Sequence, residues 1–198
     1  KNLRLMCGKP MISYSTEAAI DSKITKHIFV NTDSKGIMDY IKGNYPAVSI
    51  YKRDEGLAND QASSDQFNFD IINKLKPDTL IMINPVCPLI EAIDIINALE
   101  VYKKNNCDTL ISSTSTKMQT FCEGRSININ ADESLAPSQI NKLITTLNWA
   151  ITIWDTKTFI ERMNKNGYAV LGDNRLFFDI DIFKSVKVSE EKDFLTAE

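Results

Sequence analysis

The chain has 198 residues, of which 43% are hydrophobic and 25% charged, with a formal net charge of -3. That length holds one domain with a sizeable core, and the charge gives no reason to expect a nucleic-acid or anionic-membrane partner. No apolar run approaches the ~20 residues of a membrane-spanning helix and nothing reads as a signal peptide. Four cysteines without a CxxC pair, beside a single histidine, argue against a zinc site and for thiols in a reducing, cytoplasmic compartment.

Residues 1–9 are short and basic, with no strand before the first helix; the strand and loop that normally open an α/β protein of this kind either lie upstream of Lys1 or are naturally absent. Pro10 introduces a helix with Met11, Tyr14 and Ala18 on one face. Residues 27–31 read as a strand. Thr32, Asp33 and Ser34 offer capping oxygens to a helix that ends at Gly43, Asn44 and Pro46. Residues 47–51 are the next strand. A polar loop over 52–64 leads to a helix over 65–76.

Residues 78–83 are the most apolar strand, read as covered on both faces and central in a mostly parallel sheet. Pro85 and Pro88 end it. A helix over 89–102 and a strand over 108–113 follow. Helix and strand alternate throughout, which predicts an α/β fold of three layers, α/β/α. Its strand-to-helix loops, 31–34, 53–64 and 84–88, share one sheet edge, where such folds bind ligands.

Beyond residue 114 the rhythm changes. A hairpin is expected around Gly124, then a strand over 148–154 and a helix over 155–165 capped by Asn166 and Gly167. Further strands are expected over 168–171, 176–182 and 185–188, with Ser189 capping a last helix. Trp149 and Trp154, five residues apart, face opposite sides of a regular strand. The whole chain reads as one domain, with 114–148 as a substrate or dimerisation insertion. Cys87, within the 84–88 loop, sits beside the expected ligand pocket as a buried thiol or a nucleophile.

Several strings resemble the acylneuraminate cytidylyltransferase family, nucleotidyltransferases whose relatives act on other nonulosonic and ulosonic sugars. They are Lys1-Asn2-Leu3-Arg4, Gly8-Lys9-Pro10-Met11-Ile12, Thr32-Asp33-Ser34, Arg53, Leu57-Ala58-Asn59-Asp60-Gln61-Ala62-Ser63-Ser64 and Asn84-Pro85-Val86-Cys87-Pro88-Leu89, followed by Asn148, Asp193-Phe194 and Ala197-Glu198. The resemblance implies transfer of CMP from CTP to an acidic sugar acceptor, release of pyrophosphate, Mg2+ as cofactor and a homodimer. Lys1 and Asn2 resemble the end of a phosphate-binding loop, with Lys1 and Arg53 catalytic. Asn2, Arg53 and Ser64 would contact the nucleotide. Asn84, Lys142 and Asn148 would contact the acceptor. Asp60 would order its loop, Asp33 is a site residue or a local cap, and Ser64 a ligand contact, a helix cap, or both.

The chain also departs from that pattern. Ser138 and Thr146 stand where the family carries arginines, and Trp149 where it carries glycine. The family's metal-binding carboxylates, four and six residues before the aspartate of the last helix, correspond to Ser189 and Lys187. Asp179 and Asp181 have the right mutual spacing eight residues earlier, as a relocated metal pair or as solvent-facing residues. Three further readings therefore stay open: a synthetase using another nucleotide or acceptor, a nucleotide-binding homologue without catalysis, and a chain lacking its phosphate loop.

Overall fold

A computed structural model describes residues 1–59 and 61–198. In chain order, a two-residue hairpin of β1 (Leu5–Met6) and β2 (Lys9–Pro10) precedes α1 (Met11–Ser22), β3 (Phe29–Thr32), α2 (Lys35–Asn44) and β4 (Ser49–Lys52). Then come α3 (Ser64–Leu75), β5 (Thr79–Ile83), α4 (Ala92–Lys104) and β6 (Thr109–Thr116). A small hairpin, β7 (Phe121–Cys122) with β8 (Arg125–Ser126), leads to the long β9 (Ile144–Asp155), α5 (Thr156–Asn166), β10 (Arg175–Asp179) and α6 (Glu191–Ala197). Glu123 and Gly124, both at positive φ, make the primed turn that a two-residue hairpin needs.

One sheet has the order β10-β6-β9-β5, and β3 with β4 forms a separate parallel pair. Strands β5, β6 and β10 share one direction while β9 runs against them. The period-2 alternation of strands builds the layers. Ile81, Ile83, Ile151 and Ile153 face Ala18 of α1 and Ile95 and Ala98 of α4. Leu80, Met82 and Trp154 face Ile72 of α3 and Phe159 of α5. The three-layer α/β/α expectation therefore holds, with a core on each face of the sheet. Removing each fully buried isoleucine side chain from water is worth about 2 kcal/mol.

The structure corrects several local expectations. β5 is covered on both faces, but among the described residues it is hydrogen-bonded only to β9, so it is an edge strand of its sheet rather than a central one. Residues 168–171 are irregular and end in a turn at 170–171, not a strand. The amides of Ala169 and Val170 donate to Asp65 Oδ1, and the indole of Trp154 donates to the carbonyl of Val170, which leaves no ladder for a strand. Residues 185–188 are irregular, tied to the core by a single bond from Val188 N to Val86 O at 2.8 Å. Ser189 does not cap α6; Asp193 Oδ2 accepts instead from the amides of Ser189 and Glu190. β9 is not regular between its tryptophans, because a bulge separates the Ser113–Leu147 pair from the Ile111–Thr152 pair. Trp149 sits in that bulge at φ +59, a conformation that costs a residue with a Cβ roughly 1–2 kcal/mol.

Past the bulge, β6 and β9 leave the sheet as a two-stranded arm that carries residues 117–143. Asn128 knits this arm together. Its side chain donates to the carbonyls of Met118 and Lys142 and accepts from the amide of Thr120.

Candidate active site

The carboxyl ends of β3, β4 and β5 carry the residues singled out by sequence. β4 delivers Arg53. Its amide donates to Thr32 O, Nε donates to Asn31 Oδ1 at 3.0 Å, and Nη2 to Asn31 O at 3.1 Å. The guanidinium also lies over the ring of Phe67, 4.9 Å from its centroid. Two hydrogen bonds and one stacking contact fix the plane of the fork, leaving its other N–H groups for a ligand.

Phe67 belongs to the first turn of α3, three residues after Ser64, so Arg53 and Ser64 address the same helix face. The cap of α3 is Ser63, not Ser64. Ser63 Oγ accepts from Gln66 N at 3.3 Å and Gln66 Oε1 accepts from Ser63 N at 2.9 Å. Ser64 is thus relieved of capping, and its exposed hydroxyl makes no hydrogen bond among the described residues. Ser34 is the cap of α2 through Ile37 N, so Asp33 is not needed as one. Asp60 lies outside the described residues.

Lys1 and Asn2 are placed by the start of α1, where the amide of Ile12 donates to Asn2 O. The Asn2 Oδ1 atom is buried and has no hydrogen-bond partner. A buried acceptor left in that state is costly unless a ligand donates to it.

The second group surrounds β5. Asn84 continues the β5 ladder, its amide donating to Ala150 O at 2.9 Å. Its Oδ1 accepts from Val86 N at 3.3 Å and its carbonyl from Cys87 N at 3.0 Å, which closes the 84–88 loop into a tight turn. Asn148, only 7% exposed, lies behind this loop. Its Oδ1 accepts from Ser112 Oγ at 2.5 Å and from Ala150 N at 3.2 Å, and Ser112 Oγ in turn accepts from Ile151 N. This network holds the bulge and leaves Asn148 Nδ2 buried without a partner. Lys142 is exposed on the arm.

Structure therefore joins Arg53 to the helix of Ser64, and Asn84 to Asn148. No hydrogen bond among the described residues links the two groups. A surface depression of about 440 Å³ runs along α3, and a second of about 360 Å³ lies at the end of β4, lined by Arg53 and touching α3 only at Lys74; neither is lined by Asn84 or Asn148. Ser112 and Asn31, the partners that orient Asn148 and Arg53, were not singled out by sequence. Their polarity at strand positions was the one available signal.

Cys87 is fully buried, and burial pushes its thiol up to about 11, against the opposing charges of Lys187 and Lys1. It is not an activated nucleophile at neutral pH.

The place corresponding to the family's metal carboxylates does not fit a divalent cation. Lys187 brings positive charge and Ser189 a neutral hydroxyl, whereas magnesium selects carboxylate oxygens. Asp179 and Asp181 are exposed. One oxygen of Asp179 accepts from Ser113 Oγ, and one of Asp181 from Phe183 N. β10 stands three strand spacings from β5, roughly 14 Å away. Among the described residues no three His, Cys, Asp or Glu side chains come together as metal ligands. Nor is any described helix long and apolar enough to cross a membrane.

A family model described as cytidylyltransferase matches residues 1–169. The chain is 28% identical over 179 residues to CMP-N,N'-diacetyllegionaminic acid synthase of Legionella pneumophila, covering 85% of this chain and 76% of that protein. It is 33% identical over 127 residues to post-translational flagellin modification protein B of Campylobacter coli, covering 61% of this chain and about half (54%) of the relative. Pseudaminic acid cytidylyltransferase of Campylobacter jejuni is 29% identical over 119 residues, 58% of this chain and 51% of that protein. Among solved structures, 4-diphosphocytidyl-2C-methyl-D-erythritol synthase from Anaerococcus prevotii superposes with a TM-score of 0.71 at 12% identity, over 99% of this chain and 90% of that one. A CMP:2-keto-3-deoxy-manno-octonic acid synthetase complexed with CTP gives 0.61 at 14% identity, over 91% and 83%. At such identities the two structures speak for the fold alone. The family match spans α1 to the end of α5 and takes in both groups of site residues: the chain belongs to the cytidylyltransferase family.

Proposed function

We propose that the protein transfers CMP from CTP to a hydroxyl of an acidic sugar, of nonulosonic or ulosonic acid type, releasing pyrophosphate. A bond forms between the acceptor oxygen and the α-phosphorus, and the bond from that phosphorus to the pyrophosphate breaks. Positioning and charge stabilisation carry such a transfer. The observation that carries the reading is Arg53, oriented by Asn31 and Phe67 yet with free N–H groups. With Ser64 and the orphaned Asn2 Oδ1 it serves the nucleotide, and Lys1 serves its phosphates. Asn84, Lys142 and the unpartnered amide of Asn148 serve the acceptor. The names of the acidic-sugar relatives support the acceptor class. Mg2+, typical of the family, would accompany the phosphates of CTP. The need for a nucleoside triphosphate supports a cytoplasmic location as part of this reading.

Pyrophosphate release by the full-length protein tests the reading, with CTP and a panel of nonulosonic and ulosonic acids. Release with one acceptor and CTP, but not UTP, ATP or GTP, is expected; no release with any acceptor overturns it. Lys187 and Ser189 favour a second reading, a nucleotide-binding homologue without catalysis, for which CTP binds and no pyrophosphate appears.

We also propose one domain whose 114–148 arm makes a homodimer. Met118, Leu135, Ile140 and Leu143 on that arm are 74%, 63%, 70% and 59% exposed, more apolar surface than a solitary arm would show. Light scattering at micromolar concentration should report a dimer, and a monomer overturns this.

A further inference from the structure

The segment before α6 lies directly against the loop that follows β5. Val188 donates to Val86 O at 2.8 Å, and its side chain is buried with Met6, Met11 and Phe194. Its neighbours Lys187 and Ser189 are exposed. The other cations of this region are neutralised. Arg4 makes a two-pronged pair with Glu191 and stacks on Phe194. Lys184 reaches Glu91 at 2.6 Å and Asp94 at 3.0 Å, and Lys192 reaches Glu190 at 3.1 Å. Lys187 and Lys1 have no ion-pair partner among the described residues. Asp193 spends one oxygen on the amides of Glu190 and Ser189, and these bonds, with smaller help from the charges of Lys192 and Lys1, hold its carboxyl below the usual range. Lys1 is seated at the start of α1, where Ile12 N donates to Asn2 O and Arg4 N to Lys1 O, and Met11 of that helix packs against Val188, so Lys1 and Lys187 approach the 84–88 loop from adjoining segments.

A divalent cation on two carboxylates is neutral overall. A lysine beside a serine carries a full positive charge with no ion bound. We propose that Lys187, together with Lys1, forms an anion-binding pair beside the 84–88 loop that receives an anionic group of the ligand directly, in place of a protein-held metal. A lysine suits this task because it is a point charge that needs no planar partner. The anionic group is a nucleotide phosphate or an acceptor carboxylate. The inference rests on the cytidylyltransferase reading for the identity of these ligands only; the site itself is read by binding without turnover.

Calorimetry in EDTA, with the full-length protein, separates the cases. CTP, inorganic pyrophosphate and N-acetylneuraminate serve as probes, with Lys187→Ala, Lys187→Asp and the paired control Lys192→Ala as variants. Wild type should bind at least one probe without metal, and Lys187→Ala should weaken that binding about tenfold or more while Lys192→Ala leaves it unchanged. Weakening confined to CTP and pyrophosphate assigns the phosphate, and weakening confined to the sugar acid assigns the carboxylate. Lys187→Asp should lose binding in EDTA and regain it with Mg2+. Lys187 is exposed, so unchanged melting temperatures are expected throughout. Equal affinities for Lys187→Ala and wild type, or no binding of any probe by wild type in EDTA, overturn the proposal. If the binding results hold and no acceptor yields pyrophosphate, the anion site stands and the transferase reading falls.

Discussion

On the β3–β4 side, Arg53 is braced by Asn31 and Phe67 and keeps donors free, while Ser63 takes the capping duty and releases Ser64. On the β6–β9 side, Asn148 gives its oxygen to Ser112 and Ala150 and shows one unpartnered amide, and Asn84 gives its oxygen to Val86. In the first region the groups proposed to meet the nucleotide are held by helpers. In the second, the side chains proposed to meet the acceptor also build the fold. A substitution in the first should therefore damage activity with little effect on stability, and one in the second should damage both.

The largest expected effect is at Arg53. Arg53→Ala should lower CTP-dependent pyrophosphate release ~100-fold or more with an unchanged urea midpoint, and Arg53→Lys should not restore it, because a lysine cannot reproduce the braced fork. A matching loss of stability would break the contrast.

Cys87 comes next, as a probe of the second region. A thiol titrating at about 11 should react with iodoacetamide at pH 8 ~100-fold more slowly than one at the ordinary 9.0, in proportion to its thiolate fraction. Because the folded value lies above the ordinary 9.0, the neutral thiol's contribution to stability is complete below pH 9 and is lost as pH rises through the folded value. Denaturation at stepped pH reads this, and alkylation as fast as in urea would show that the loop does not bury the thiol.

Asn148→Ala should cost about 2 kcal/mol by urea denaturation, since Ser112 Oγ and Ala150 N lose their acceptor inside the fold. Loss of acceptor affinity without any loss of stability would place Asn148 with Arg53 in kind.

The smallest effects form the sharpest pair. Ser63→Ala should cost about 1 kcal/mol of stability through the lost cap and barely alter CTP affinity. Ser64→Ala should do the reverse. If the two exchange roles, the division of labour at the start of α3 is wrong.

The layers were legible because burial on both faces leaves near-continuous apolar runs such as Leu80–Ile83, which local pattern alone reveals. The position of β5 was not, because hydrophobicity reports covered faces and says nothing of which strand edges are paired. Residues 168–171 look like a strand for the same reason. Their fate was settled by Asp65, more than a hundred residues away in sequence, and no local signal carries that. At the site, Asn84 was readable as a polar residue where an apolar strand ends, and Arg53 and Ser64 through the strings that resemble the cytidylyltransferase family. The helpers Asn31 and Ser112 were not, since their value lies in partners brought close only by folding. Trp149 was legible as a departure, but its left-handed backbone emerged only from the bulge.

The docking of α6 has a kinetic consequence. Arg4 and Glu191 are separated by 187 positions, and the Val188–Val86 bond that seats Lys187 belongs to the same closure. Contacts this distant carry the full entropy of closing the chain and form late. The layered body can assemble before this segment docks, so the 84–88 loop receives its neighbouring lysine late, and on partial unfolding that neighbour should be among the first to leave.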